Sequence, residues 1–195
     1  MFDLDGSVLG IDPGLSRCGY GVVRLTAGRK AEALACGVIR TPPSDPLPQR
    51  LAALAVELEQ LLTEVRPAAV SVERVLFQAN ARTAMSVGQA SGLALATAAR
   101  MGIPVTQYSP NEVKLAVTGD GAADKAQVQA MVARLLRLDA PPHPPDAADA
   151  LALALCHLWR VPLSGAAAST STSGVGGTGG FERAVAAAVV KDGQR

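Results

Sequence analysis

The order of the apolar runs constrains this chain's fold more than any other feature. Three strand-like segments precede the first helical one, and from there strands and helices alternate. The run at 8–11 (VLGI) is short and apolar and stops at Asp12-Pro13-Gly14, a turn signal. Residues 20–26 and 31–41 flank the turn-like Ala27-Gly28-Arg29-Lys30 and read as strands of antiparallel hairpins. A Pro-rich link at 42–48 opens a helix at 49–65, with Leu51, Leu54, Leu58, Leu61 and Leu62 at helical spacing. Residues 68–73 read as another buried strand. The Ala-rich stretch 79–101 is predicted as a long helix buried on most sides, with Gly88 and Gly92 as close-packing points. A fifth strand at 103–107, short helices near 110–117 and 124–137, a break at 141–145 and a helix at 146–160 follow. This order predicts an α/β fold: a mixed five-stranded sheet, a three-strand meander plus two parallel strands, flanked by helices.

Composition enters where it excludes. No apolar run approaches the ~20 residues of a membrane span. The first seven residues carry two aspartates and no basic residue, unlike a signal peptide. Cys18, Cys36 and Cys156 form no Cys-x-x-Cys pair, which fits reduced thiols in a cytoplasmic protein. Cys156-His157 reads as a helix pair inside an apolar run, since neither a zinc site nor a Cys/His nucleophile has its partners. Net charge is +1. If four carboxylates are set aside for metal, the remaining surface is basic, which is compatible with DNA. From Ser164 the chain reads SGAAASTSTSGVGGTGG, too poor in apolar bulk to offset its ordering entropy. Residues 1–163 are therefore expected to form the folded domain, with 164–195 a low-complexity, disordered tail.

Four acidic residues fall at element ends. Asp12 closes the first strand and Glu73 the fourth. If those strands are neighbours, both side chains emerge at one sheet edge, where open α/β sheets place their sites. Asp146 and Asp149 stand at i and i+3 in the first turn of the last helix and point to one side. Singly, each has an ordinary explanation: Asp146 complements a helix start, Asp12 seeds a turn, and Asp149 and Glu73 are surface groups. Together they form a carboxylate cluster that cannot ionise cheaply without hard cations. An all-oxygen set suits Mg²⁺ or Mn²⁺ rather than Zn²⁺. Two such ions per site serve phosphodiester hydrolysis.

On these residues the chain resembles the RuvC-type Holliday junction resolvases, which have an RNase H-like fold. The stretches that carry the likeness are VLGIDPGLSRCGYGVV (8–23), VSVERVLFQANARTA (70–84), VGQASGLALA (87–96), EVKLAVTGDGAADKAQVQAMV (112–132) and DAADALALALCH (146–157). The resemblance implies that Asp12, Glu73, Asp146 and Asp149 are the catalytic, metal-binding carboxylates. It implies a homodimer that binds four-way junction DNA and makes paired symmetric nicks, leaving 5′-phosphate and 3′-hydroxyl ends. The branch-migration proteins RuvA and RuvB are the implied partners. Lys114 and Lys125 match basic positions beside the scissile phosphate, and Lys125 stands at a helix start, where it opposes the macrodipole. Arg74 and Arg82 bracket the loop after Glu73 and are candidates for phosphate contacts. The family carries a stacking aromatic three residues after the strand-end Glu. Here Leu76 holds that place, and Phe77 either takes over as the wedge or belongs to the core. His143 reads as a loop residue, with a role near the metals as the alternative.

Other readings stay open on the residues alone. Actin-like ATPases share the opening strand and Asp-x-Gly, but need a second similar half that this chain lacks. Shorter RNase H-like nucleases of the YqgF type act on RNA. A non-catalytic junction binder would gain nothing from buried negative charge near DNA.

Overall fold

The computed structural model describes residues 6–26, 30–75 and 81–161, and for 81–83 the backbone only. Strands β1 (Val8–Asp12), β2 (Arg17–Leu25) and β3 (Ala31–Arg40) come first, followed by helix α1 (Leu47–Val65) and strand β4 (Ala69–Glu73). Then come α2 (Ala81–Arg100), β5 (Val105–Tyr108), α3 (Pro110–Thr118), α4 (Lys125–Leu136) and α5 (Pro145–Arg160). The sheet order is β3-β2-β1-β4-β5. The β1–β2 and β2–β3 pairs are antiparallel, while β1–β4 and β4–β5 are parallel. This is the expected mixed sheet. Strand β2 begins three residues earlier than expected because Arg17 and Cys18 already pair with Arg40 and Ile39. Helix α1 begins at Leu47 and takes Pro48 into its first turn, where the missing N–H is no loss.

The strand period of two sorts side chains between two cores. On one face Leu9, Ile11, Cys18, Tyr20, Val22, Val70 and Val72 pack against Leu54, Leu58 and Leu62 of α1 and Ala90, Ala94 and Ala98 of α2. On the other, Val8, Val23, Ala69 and Tyr108 pack against α3, α4 and the apolar face of α5. Asp12 continues the series Val8, Gly10, and Glu73 continues Ala69, Ser71. Both carboxylates therefore stand on the α5 face.

Helix α2 departs from expectation. Among its described side chains only one stripe, including Ala90, Ser91, Ala94, Thr97 and Ala98, is buried, because α2 packs on α1 and the sheet from one side. Gly88 and Gly92 are not close-packing points: among the described residues nothing lies within 4 Å of a Cβ built on either. Leu76 and Phe77, the side chain of Arg82, most of the turn at 27–30 and the tail 164–195 lie outside the described residues. Among the described residues no helix is long and apolar enough to cross a membrane.

Candidate active site

Strands β1 and β4 run parallel in register, with Ile11 beside Val72, so Asp12 and Glu73 leave the sheet side by side. What brings the last helix down onto them is the glycine content of β1 and β2. A Cβ on Gly10 would lie 1.9 Å from the Ala150 carbonyl oxygen, and one on Gly21 would lie 2.7 Å from the Leu151 nitrogen. Without side chains there, α5 rests directly on strand backbone. Its own small residues, Ala147, Ala150 and Ala154, are fully buried in that contact. The first turn of α5 thus hangs over the ends of β1 and β4.

Asp12, Glu73 and Asp149 line one cleft with Lys114 and Lys125, floored by Pro110, Val113, Val128, Ala152 and Leu153, with a volume of about 220 Å³. Asp146 is not among these lining residues but lies close enough to act on Asp12 electrostatically. Burial, and then the charges of Glu73, Asp149 and Asp146, push the Asp12 carboxyl up to about 7. Glu73 is also raised, by burial first and by Asp149 second. The two strand-end carboxylates therefore repel further negative charge, and the cluster's donors are all oxygen. That set fits a hard divalent cation.

Two of the carboxylates are met by cations of the chain itself. Lys125 Nζ donates to Asp149 Oδ2 at 2.6 Å. That hydrogen bond, with the nearby carboxylates, raises the Lys125 ammonium above its ordinary range despite partial desolvation. Lys125 is therefore a charged donor at neutral pH, not a base. Arg17 donates to Asp146 Oδ2 through Nε at 3.0 Å and also through Nη2. Burial would raise Asp146, but the Arg17 hydrogen bond and the Arg17 and Lys125 charges together hold it below the usual carboxylate range. Among the described residues, no three His, Cys, Asp or Glu side chains are grouped closely enough to cage one ion in this conformation.

Arg74 is exposed beside Glu73 and its Nη2 donates to the Gln107 carbonyl at 3.2 Å. His143 is an exposed loop residue. Burial raises the thiols of Cys18, Cys36 and Cys156, the first to about 12, so none is a ready nucleophile. His157 is buried, its Nδ1 3.1 Å from the Tyr108 hydroxyl. Arg160 lies over the Tyr108 ring and pairs with Glu112 at 3.2 Å, while Glu112 accepts from Ser109 N and Oγ. This clasp ties the end of α5 to the start of α3, the helix that carries Lys114.

The sequence reading leaves out Arg17 and the clasp. Arg17 alternates with Gly19 and Gly21, so the strand period puts it on the Asp12 face once β2 is extended to its true start. The Ser109-x-x-Glu112 capping box was a readable signal for the start of α3. The Tyr108–His157 pair had none.

The family model for the crossover junction endodeoxyribonuclease RuvC matches residues 8–157. A protein of that description from Streptomyces avermitilis is 61% identical over 155 residues, covering 80% of this chain and 88% of its own length. One from Salinispora arenicola is 60% identical over 153 residues, covering 78% and 87%. The solved structure of Thermus thermophilus RuvC in complex with Holliday junction substrate is similar with a TM-score of 0.73 at 40% identity, covering 77% of this chain and 92% of that one. The yeast mitochondrial Holliday junction resolvase Ydc2, at 16% identity and a TM-score of 0.56, shares the fold. A five-stranded mixed sheet of RNase H-like order, carrying paired strand-end carboxylates under a glycine-seated helix, is thus joined to a family match over most of its length, and the chain belongs to the RuvC family of crossover junction endodeoxyribonucleases, nucleases that resolve Holliday junctions.

Proposed function

We propose that Asp12, Glu73, Asp146 and Asp149 hold two divalent ions, Mg²⁺ or Mn²⁺, and that this chain uses them to nick two opposed strands of a four-way DNA junction at symmetric positions. The observation that carries the reading is the single cleft in which Asp12, Glu73 and Asp149 face Lys114 and Lys125. When bound, such ions supply water activation and charge neutralisation at the leaving oxygen. The chain's own residues supply the rest. Asp12 and Glu73 fix one wall on rigid strand ends, and Asp149 faces them from α5. Lys125, charged by its bond to Asp149, and Lys114, carried on α3, stabilise negative charge that develops on the phosphate. Arg74 and Arg82 hold flanking backbone phosphates. Phe77, with Leu76 at the family's aromatic position, takes the wedge role against splayed bases.

Two coordinated nicks need two active sites, so the acting unit is proposed to be a homodimer. RuvA and RuvB are proposed partners, and the cytoplasm the proposed location, on the family resemblance. Residues 164–195 are proposed to lie outside the nuclease unit. A chain ending at Pro162 should then cut at the full-length rate, and a large loss would make the tail part of that unit.

The test is a substrate panel of four-way junction, linear duplex and RNA–DNA hybrid, each with Mg²⁺, with Mn²⁺ and with chelator. The expected outcome is metal-dependent, paired nicking of the junction alone, with ligatable 5′-phosphate ends. Preferential cutting of the hybrid would assign the site to RNA processing instead.

A further inference from the structure

We infer that Arg17 is a built-in competitor for the divalent ion at Asp146, so that its guanidinium holds down the affinity of the metal site. The inference rests on the reading that the four carboxylates hold metal.

Three observations carry it. The first is the pairing itself: Arg17 occupies Asp146 Oδ2 with two nitrogens, Nε at 3.0 Å and Nη2. While the guanidinium holds that oxygen, Asp146 can offer a cation only Oδ1, and does so beside a fixed positive charge. The second is the state of the rest of the cluster. Asp12, Glu73 and Asp149 line the cleft, Asp146 is not among its lining residues, and no three acidic side chains among the described residues form a ready cage. The carboxylate that Arg17 holds is the one of the four that stands outside the cleft lining.

The third is that Arg17 is delivered by a braced backbone rather than a loose surface arm. It follows the tight turn after β1, where a Cβ on Gly14 would lie 2.2 Å from the Arg17 carbonyl oxygen. That turn is pinned from two sides. Thr41 Oγ1 donates to the Leu15 carbonyl at 2.5 Å, and Arg50 of α1 donates to Thr41 Oγ1 at 3.0 Å and to Ser16 Oγ at 2.5 Å. From Arg17 on, β2 is paired to β3. With its backbone fixed on the Asp12 face of β2, the Arg17 side chain, 41% exposed, reaches Asp146. Lys125 pairs with Asp149 in a similar way but lines the cleft itself, whereas Arg17 is not among the lining residues.

The consequence is a site whose metal affinity is held down by the protein's own cation. By reciprocity, a metal bound at Asp146 would weaken the Arg17 pair, and any ligand that draws Arg17 away would tighten metal binding.

The experiment measures Mn²⁺ binding to the full chain without DNA, by calorimetry or by loss of the free-ion paramagnetic resonance signal. Wild type, Arg17→Gln, Asp146→Asn and the double variant are compared. Arg17→Gln should bind Mn²⁺ tighter by roughly three- to tenfold, the scale of a partly exposed two-donor pair. In the Asp146→Asn background the same change should have no effect, because the contested oxygen's charge is gone. Equal affinity of wild type and Arg17→Gln would overturn the competition while leaving the metal reading intact. An Arg17→Gln gain that persists in the Asp146→Asn background would also overturn it, reducing Arg17 to a general positive charge. Absence of Mn²⁺ binding in all four proteins would overturn both the competition and the metal reading.

Discussion

Lys125 Nζ lies 2.6 Å from Asp149 Oδ2 across the mouth of the cleft, joining the first residue of α4 to the fifth residue of α5. The pair is open to solvent on the lysine side, 62% exposed, so it adds little to stability. Lys125→Ala should change unfolding free energy by no more than about 0.5 kcal/mol, measured by urea titration. Junction cleavage at saturating DNA should fall by roughly 10²-fold, the effect of losing one charge-stabilising donor. A large stability loss with an unchanged rate would make the lysine structural.

The Asp12 carboxyl, pushed up to about 7, gives the metal effect a pH dependence. A folded-state value above the unfolded one means that the metal-free protein loses stability as pH rises from about 4 through 7. Divalent ions bind the ionised form and relieve the repulsion that opposes it. Mg²⁺ should therefore raise the melting temperature more at pH 8 than at pH 6, where protons still compete for Asp12. Scanning fluorimetry with and without Mg²⁺ at the two values checks the sign.

Gly10 is a second place where geometry makes a firm demand. An added methyl there would meet the Ala150 carbonyl oxygen at 1.9 Å, backbone that cannot yield without moving α5. Gly10→Ala should cost about 3 kcal/mol or more in stability through overpacking. In the fraction that folds, cleavage should drop by roughly 10²-fold, because a helix displaced by about 1 Å carries Asp146 and Asp149 with it. Gly88→Ala, with open space around its Cβ position, is the control and should be neutral or slightly stabilising.

Burial lowers the His157 imidazole below its ordinary range. The folded state therefore holds it neutral, and stability present above about pH 6.5 is lost as pH falls from there toward the folded-state value. Tyr108→Phe removes the partner of Nδ1 and should cost about 1–3 kcal/mol at pH 7.5. Urea midpoints of wild type at pH 7.5 and 5.5 test the direction, and His157→Gln should flatten the difference.

Much of this site was legible in the chain, for identifiable reasons. Asp12 and Glu73 could be placed because strand period and turn signals are local, and both ends were marked. Asp146 and Asp149 followed from helix spacing. What could not be read were relations between distant positions. Arg17 and Asp146 are 129 residues apart, and nothing near either announces the other. Glycines were misjudged for a related reason. Gly10 and Gly21 are where a helix meets bare strand backbone, whereas Gly88 and Gly92 on α2 face open space. A glycine's meaning depends on what packs above it, which the neighbouring sequence does not state.

The central claim is that the strand-end carboxylates are the catalytic metal ligands, and Asp12→Asn tests it most directly. Single-turnover cleavage of a synthetic four-way junction in Mg²⁺ should fall by about 10³-fold or more, since the change removes a ligand. Junction affinity, measured in the same samples, should be equal or tighter, because a charge that repels phosphate is gone. Cleavage by Asp12→Asn at the wild-type rate would contradict the account.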